Sequence, residues 1–255
     1  MKFVRFQVKN DLSKVAYGLV KGDMVYELTA SYLSIYEETG RAHDISSLIL
    51  LPPVTPTKIV GLGYNYKDLV GDKENYDEPV IFLKPSSALI GHNDLIKVDT
   101  SMKKVWTEVE LCIVIGKTAN NVSQEIADNF IFGFTIGNDV TTANILSRDQ
   151  HLTRSKGWDT FCPIGPWIET EINTENLKLT NTINGKLLQD SNTNMRIYDD
   201  KKIVSHLSKM MTLHPGDIVM TGTPKNAENS LVSHGDEVKI CIENIGELSN
   251  KVNSR

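Results

Sequence analysis

The chain has 255 residues, of which 40% are hydrophobic and 23% are charged, so it can bury a large core and has the balance of an ordinary soluble protein. Its formal net charge is -5 and it has no run of lysine or arginine, which argues against a nucleic-acid or anionic-membrane surface. We therefore expect its partners to be small molecules or other protein subunits.

Short strands separated by turns are predicted for residues 2–27. The segments KFVRFQV, KVAYGLV and MVYEL alternate apolar and polar side chains, and KND and KGD between them are typical turns. This stretch lacks the continuous apolar segment of a signal peptide, so we expect a cytoplasmic protein. A helix is predicted from about Ser31 to Gly40.

A proline-rich segment, LLPPVTPTK, runs from Leu50 to Lys58. Proline has no backbone N–H and fixes its own φ, so this segment can continue neither a helix nor a central strand, and it is a candidate linker. We therefore divide the chain into a small β-rich N-terminal domain with its linker, residues 1–55, and a larger second domain, residues 56–255.

The second domain is predicted to be built mostly from strands. The segments KIVGLGYNY, PVIFLKP, FIFGFTIGND, PIGPWIET and DIVMTGTP are rich in β-branched and aromatic residues and are bounded by turn residues. Helices are predicted for Ser123 to Asn129, Val140 to Ser147 and Lys201 to Met211. The fold class is therefore mixed β with some α, and no apolar stretch is long enough to span a bilayer.

The stretch WTEVELCIVIGK carries two glutamates inside an otherwise apolar strand. Because successive side chains of a strand point to opposite faces, Glu108 and Glu110 emerge together on one side. Two neighbouring carboxylates repel each other and are costly to bury unless a positive group lies between them, and a divalent cation meets that need. The alternative is a strand whose acidic face lies in water.

A third acid, Asp139, ends the apolar strand FTIGND. Three carboxylates fill about half of an octahedral Mg²⁺ or Mn²⁺ shell and leave the other positions for water or substrate oxygens. Such an arrangement suits a metal that chelates a 2-oxo acid. Zinc is disfavoured because no cysteine or histidine pair is spaced near these acids.

The second domain resembles the fumarylacetoacetate hydrolase family from about Lys58 to Val252. The resemblance rests on segments in the family's order: GLGYNYKD, PVIFLKPSSALIG, EVELCIVIGK, FGFTIGNDVT, SKGWDTFCPIGP, INGKLLQDSNTNM, LSKMMTLHPGDIVMTGTP and LVSHGDEVKICIENIGELSNKV. It is similar to members of the dienedioate isomerase and acylpyruvase types. The resemblance implies a mixed β-roll catalytic domain, a homodimer, and Mg²⁺ or Mn²⁺ bound by Glu108, Glu110 and Asp139.

The resemblance also implies roles for four further residues. Lys84 and Lys156 match the family's active-site lysines, and an ammonium group beside a metal-bound 2-oxo acid can stabilise an enolate as it forms. Thr223 in TGTP and Tyr66 in the NY pair match positions that contact the substrate. Taken alone, either lysine is better interpreted as a solvated surface charge. TGTP alone could serve only as a tight turn, and Tyr66 alone as a packed ring.

The sequence departs from the family where the hydrolases carry a water-activating histidine and glutamate, because Leu69 and Asp72 occupy those positions. Leucine cannot accept or donate a proton, so that pair is absent. We assign Asp72 as a catalytic proton carrier, with Asp68 and His151 among the alternatives. The polar segment 67–77, which carries both aspartates, is predicted to form a mobile lid over the site.

These observations favour a metal-dependent enzyme acting on small 2-oxo or 2-hydroxy-2-enoic (di)carboxylic acids. The predicted chemistry is keto–enol or double-bond isomerisation, or decarboxylation, through a chelated enolate, which needs an electron sink more than an activated water. One alternative is C–C bond hydrolysis of acylpyruvate or fumarylacetoacetate-like substrates. Another is a non-catalytic homologue that binds metal and ligand.

Overall fold

The computed structural model describes residues 1–71, 78, 80–144 and 148–254. These residues form a mixed, mostly β fold with few helices, as the sequence predicts. The strands are β1 (Lys2–Val8), β2 (Asp11–Lys21), β3 (Met24–Leu28), β4 (Glu38–Asp44), β5 (Leu48–Leu51), β6 (Ile59–Gly63), β7 (Val80–Lys84), β8 (Leu89–Ile90), β9 (Leu95–Val98), β10 (Val105–Trp106), β11 (Val109–Ile115), β12 (Ile131–Asn138), β13 (Thr141–Thr142), β14 (Cys162–Glu169), β15 (Lys178–Ile183), β16 (Lys186–Asn192), β17 (Ile218–Met220), β18 (Glu237–Ile242) and β19 (Gly246–Ser254).

The helices are short. The α-helices are α1 (Lys67–Val70), α2 (Thr153–Lys156) and α3 (Asp200–Met210), and 3₁₀ helices cover Ile45–Ser47, Ser86–Ala88, Gln124–Phe130, Thr193–Met195 and Ala227–Asn229. None of the helices in the described part of the chain combines the length and the apolar character needed to cross a membrane.

The helix predicted at residues 201–211 is confirmed as α3. The Asp199 side chain caps it by accepting a hydrogen bond from the Lys202 N–H at 2.8 Å. Ile203, Val204 and Leu207 form its buried face, and this spacing made the helix readable from the sequence. The helix predicted at residues 123–129 is present in the tighter 3₁₀ form, as Gln124–Phe130.

Two helix predictions are wrong. Residues 31–40 form turns that lead into β4, which pairs with β3, and Gly40 takes a φ of 82°, outside the right-handed helical region. The described part of the segment predicted from Val140 to Ser147 contains β13, which pairs with β10. In both segments pairing with a neighbouring strand outweighs local helix propensity.

The described strands form two main sheets. A 12-stranded sheet has the order β4-β3-β2-β1-β14-β12-β11-β17-β6-β7, with β5 beside β1 and β8 beside β14, and a 5-stranded sheet has the order β16-β15-β18-β19-β9. Strand β1 pairs with β14 through Lys2↔Glu169 and Phe3↔Ile168, so the N-terminal strands continue the large sheet. The predicted domain boundary after residue 55 lies between β5 and β6.

Asp217 anchors the end of the proline-rich linker. Its carboxylate accepts hydrogen bonds from the Thr57 N–H at 3.0 Å, the Lys58 N–H at 3.1 Å and the His214 N–H at 2.7 Å, and it pairs with the Lys58 ammonium at 2.5 Å. Although burial opposes the charge, these donors hold the pKa of Asp217 below its ordinary value. The linker is thereby fixed to the turn that precedes β17.

A second anchored carboxylate, Glu27, lies on the N-terminal strands. It is 5% exposed and accepts hydrogen bonds from Arg41 Nε and Lys14 Nζ, both at 2.9 Å, while His43 Nε2 lies 3.1 Å away. The Arg41 contact is the largest cause that lowers the pKa of Glu27, to about 2. Strands β2, β3 and β4 are thus tied together by one charge.

Strand β11 positions the acids that the sequence singles out. It is buried along its whole length, between β12 and β17. The sequence predicts one apolar and one acidic face for this strand, and the structure buries both. Val109 and Leu111 pack in one hydrophobic cluster with Leu179, Ile240 and Ile242 of the smaller sheet.

Candidate metal centre and its cavity

Glu108, Glu110 and Asp139 meet at one end of the pair β11 and β12. The antiparallel register sets Val109 opposite Asn138, so the residue before β11 and the residue after β12 are neighbours, and the Asp139 N–H donates to the Glu108 carbonyl at 3.0 Å. The exposed fractions of Glu108, Glu110 and Asp139 are 8%, 1% and 0%. Each offers a carboxylate oxygen, and these oxygens lie within 4.8 Å of one another.

Two buried lysines hold Asp139 from either side. Lys84 Nζ lies 2.5 Å from Asp139 Oδ1 and donates to the Val140 carbonyl at 3.3 Å. Lys156 Nζ contacts Asp139 Oδ2 and lies 3.1 Å from Glu108 Oε2. Both lysines that the sequence predicts are therefore in direct contact with the acid group.

The electrostatics of the group are unbalanced. Burial is the largest cause that raises the pKa of Glu110 well above its ordinary value, and the charges of Asp139 and Glu108 raise it further. Burial likewise raises the pKa of Glu108, against the effect of Lys156. Although burial opposes it, Lys156 and then Lys84 hold the pKa of Asp139 below its ordinary value. The carboxylates outnumber the ammonium groups by three to two, so the ionised cluster carries excess negative charge.

The donor set fits a hard divalent cation. The group contains carboxylate oxygens only, and oxygen is the ligand that Mg²⁺ and Mn²⁺ prefer. A bound dication would offset the excess negative charge and counter the repulsion by Asp139 and Glu108 that adds to the raised pKa of Glu110. The buried Glu-Glu-Asp group can therefore bind a metal.

Further groups orient these acids, and the sequence analysis missed them. Trp106 Nε1 donates to Glu108 Oε1 at 2.7 Å, and the Gly222 N–H donates to Glu110 Oε2 at 2.7 Å. Thr141 Oγ1 donates to Glu108 Oε1 at 3.2 Å. The contact of Trp106 with Glu108 could have been predicted from the sequence, because Trp106 precedes Glu108 by two residues and this spacing puts both side chains on the same side of an extended chain.

The acid group opens into a cavity of about 370 Å³. Its described lining combines charged side chains, the three acids among them, with neutral polar and apolar side chains. The lining residues are Leu62, Gly63, Tyr64, Leu69, Phe82, Trp106, Glu108, Glu110, Asp139, Thr141, Thr142, Asn144, Leu152, Ser155, Lys156, Thr223, Ala227 and Glu228.

The predicted site residues divide between the cavity wall and the layer behind it. Lys156 and Thr223 line the cavity, whereas Lys84 is 2% exposed and reaches the site through Asp139. Tyr66 is completely buried, does not line the cavity, and has a hydroxyl without a hydrogen-bond partner among the described residues. Tyr64, two residues earlier, lines the cavity in its place.

A buried amide supports Thr223. Gln189 is completely buried, and its Nε2 donates to Thr223 Oγ1 at 3.1 Å and to the Pro224 carbonyl at 3.0 Å. Its Oε1 accepts from the Val109 N–H at 3.2 Å and from Asn181 Nδ2 at 3.1 Å. Gln189 thus links the Thr223 loop to the start of β11.

Of the candidate proton carriers, Asp68 and His151 are described by the structure, and neither lines the cavity. Asp72, and with it residues 72–77 of the predicted lid, lies outside the described residues. Asp68 accepts a hydrogen bond from Ser191 Oγ at 2.8 Å and does not line the cavity, and His151 is exposed and also lies off its wall. Leu69, which stands where family hydrolases carry a histidine, lines the cavity.

Comparison with known protein families matches nearly the whole chain. Residues 58–253 match the family model described as "Fumarylacetoacetate (FAA) hydrolase C-terminal", and residues 1–53 match one described as "Rv2993c-like, N-terminal". Among curated proteins, the chain is 34% identical over 224 residues to the protein named "Oxaloacetate tautomerase Fahd2a, mitochondrial" of Rattus norvegicus, an alignment that covers 81% of this chain and 70% of that protein.

Solved structures of similar proteins share the whole architecture. The 5-carboxymethyl-2-hydroxymuconate delta-isomerase from Mycobacterium smegmatis is 35% identical, with a TM-score of 0.92 and 100% of both chains covered. Maleylpyruvate hydrolase from Sphingobium sp. SYK-6, solved in complex with manganese (II) ion and pyruvate, is 28% identical, with a TM-score of 0.82 and 100% of this chain and 99% of that chain covered.

Proposed function

Because this chain belongs to the fumarylacetoacetate hydrolase family, we propose that it is a metal-dependent enzyme of small 2-oxo or 2-hydroxy-2-enoic (di)carboxylic acids. The proposed reaction is keto–enol or double-bond isomerisation, or decarboxylation. One observation carries the proposal: three buried carboxylates with oxygens within 4.8 Å of one another form part of the wall of a cavity large enough for such an acid. Similar proteins named as isomerases and tautomerases support it.

Glu108, Glu110 and Asp139 would hold the cation, and either Mg²⁺ or Mn²⁺ fits these ligands. Bound there, the cation supplies Lewis acidity that makes a chelated 2-oxo acid easier to deprotonate at C3 or to decarboxylate. Trp106 and Gly222 fix the two glutamates through their N–H groups, so the ligands are held in place before the substrate arrives.

The two lysines have different proposed tasks. Lys84 holds one Asp139 oxygen and is a positioning residue, since it is buried behind the acid group. Lys156 lines the cavity; although burial lowers its pKa, Asp139 and Glu108 raise the pKa above its ordinary value, so it stays an ammonium. A fixed ammonium stabilises the negative charge that develops on the substrate's C2 oxygen.

Two residues are proposed to hold the substrate and one to carry its proton. Thr223 lines the cavity, and its hydroxyl can donate to a substrate carboxylate. Tyr66 remains a candidate because its buried hydroxyl has no hydrogen-bond partner among the described residues. Asp72 is the proposed carrier of the proton between C3 and the C2 oxygen, because it is a carboxylate at the position where family hydrolases carry the glutamate of their water-activating pair.

Hydrolysis of a C–C bond is the second candidate, and the similarity to maleylpyruvate hydrolase favours it. It requires a group that deprotonates water, an effect worth about 10² to 10⁴ in rate, and Leu69 on the cavity wall cannot do so. Isomerisation is therefore the leading proposal. A non-catalytic homologue that binds metal and ligand is the remaining alternative.

The test is a metal-dependent assay against a substrate panel. Protein stripped with EDTA and reloaded with Mg²⁺ or Mn²⁺ is given oxaloacetate, acylpyruvates or 2-hydroxy-dienedioates, and loss of the enol absorbance is followed. Separate measurements of carbon dioxide and pyruvate distinguish decarboxylation and hydrolysis from isomerisation. An Asp139→Asn variant should lose activity, while Glu125→Gln, an exposed acid outside the cavity, should keep it.

Metal-dependent loss of the enol band is the expected result, without pyruvate if the reaction is isomerisation and with equal amounts of carbon dioxide and pyruvate if oxaloacetate is decarboxylated. No turnover of any panel member with either metal would leave the non-catalytic alternative. Release of pyruvate from acylpyruvates without carbon dioxide, at ordinary enzymatic rates of about 10 per second, would favour the hydrolase. The homodimer and the cytoplasmic location stay predictions, which sedimentation and fractionation can test.

A further inference from the structure

Among the described residues that line the cavity, one acid is not part of the metal site. Glu228 lies in the 3₁₀ helix Ala227–Asn229, five residues after Thr223, and is exposed, while Ala227 beside it is 6% exposed and fixes this short helix to the protein. Both residues line the cavity.

The rest of the wall offers no free cation among the described lining residues. Lys156 is the one lysine or arginine of that set, and its ammonium is engaged by Asp139 and Glu108. Most other described lining residues away from the acid group are apolar or neutral, including Leu62, Leu69, Phe82, Leu152, Tyr64 and Asn144.

We propose that Glu228 is a specificity-determining residue that disfavours substrates with a second carboxylate at the end remote from the 2-oxo acid. The inference rests on the proposed function, because the 2-oxo acid group must face Glu108, Glu110 and Asp139. The remote end of the substrate then lies against an apolar wall with a carboxylate at its edge. An uncharged tail is compatible with that wall, whereas a second carboxylate loses water without gaining a cation and meets a like charge.

The expected loss of affinity for a dicarboxylate is small, because Glu228 is exposed to solvent. Two like charges several ångströms apart near a protein surface repel by an amount worth about three- to tenfold in affinity, because water screens part of the interaction. Added salt shortens the range of the repulsion, with a Debye length of about 8 Å at physiological ionic strength. The discrimination should therefore weaken as salt is raised.

The test compares two ligands that differ only in the remote carboxylate, 2-oxopentanoate and 2-oxopentanedioate. Their affinities for the Mn²⁺-loaded protein are measured by calorimetry at low and high KCl. The parent should bind the monocarboxylate more tightly, and Glu228→Gln should tighten binding of the dicarboxylate about three- to tenfold while leaving the monocarboxylate unchanged. Glu125→Gln, which removes an exposed acid outside the cavity, is the matched control and should change neither affinity.

The outcomes separate this inference from the proposed function. Equal or tighter binding of the dicarboxylate by the parent overturns the role of Glu228, whatever the turnover assay gives, and so does an equal response of the Glu125→Gln control. Failure of all turnover with normal ligand discrimination overturns the enzymatic proposal and leaves the specificity inference standing. Binding of neither ligand by the metal-loaded protein overturns both.

Discussion

Replacing Glu110 with glutamine separates metal binding from folding at the acid group. The substitution keeps the size of the side chain and an oxygen that can still accept the Gly222 N–H, but it removes one of three neighbouring negative charges. We expect Mn²⁺ affinity to fall about 100-fold, because affinity for hard cations depends on ligand charge. We expect the metal-free protein to become no less stable.

The second expectation follows from the distances. At an effective dielectric constant of about 20, two unit charges 4.8 Å apart repel by about 3.5 kcal/mol, and the ligand oxygens lie no farther apart than that. Attraction to Lys156 offsets part of this repulsion. A net relief of about 1 to 2 kcal/mol remains, which for a chain of this size corresponds to a rise of about 2 to 8 °C in Tm.

The assay is a pair of measurements on one preparation. Calorimetric titration of Mn²⁺ gives the affinity, and thermal unfolding in EDTA near neutral pH gives the stability, with Glu125→Gln as the control in both. Unchanged affinity would show that Glu110 is not a ligand. A variant that unfolds several degrees below the parent in EDTA would refute the argument that Glu110 is under repulsion in the metal-free protein.

Three further predictions follow from the same structure. A Leu69→His and Asp72→Glu double variant should hydrolyse acylpyruvates about 10² times faster than the parent or more, measured as pyruvate release, while the rate of isomerisation stays roughly unchanged. No gain in the hydrolysis rate would mean that a missing base does not limit hydrolysis. Glu27→Gln should cost about 2 kcal/mol of unfolding free energy near neutral pH, measured with urea. Because the pKa of Glu27 is lowered from 4.5 to about 2 in the folded state, the difference in stability between parent and variant should shrink as the pH falls through that range. A stability difference that does not depend on pH would contradict the role of the Glu27 charge. Asp217→Asn should cost about 2 to 4 kcal/mol in the same urea assay, since it removes a buried charge that several donors surround, and an unchanged midpoint would contradict that role.

Much of the candidate site was readable before the structure, but by two different routes. Strand alternation, with the acid at the end of the apolar strand FTIGND, indicated Glu108, Glu110 and Asp139, and the match to family segments added Lys84 and Lys156. No spacing in the sequence relates residue 108 to residue 139 or residue 84; those neighbours depend on the pairing of β11 with β12 and of β6 with β7.

The wrong helix predictions and the unnoticed site residues have a common cause. Residues 31–40 and 140–144 are extended or irregular because neighbouring strands pair with them, which local propensity does not report. Gln189 and Glu228 went unnoticed for the same reason: one reaches Thr223 from a distant strand, and the other joins the cavity wall through the position of its short helix.

The sequence by itself determined the class of fold, helix α3 and the presence of paired acids, because these depend on periodicity and composition within a few residues. Only the tertiary structure decided that the three acids meet, which lysine faces the cavity and which lies behind it, and that Tyr64 rather than Tyr66 lines the wall. Those outcomes depend on the register between strands and on burial, and both are set by packing the whole core at once rather than by any local stretch of chain.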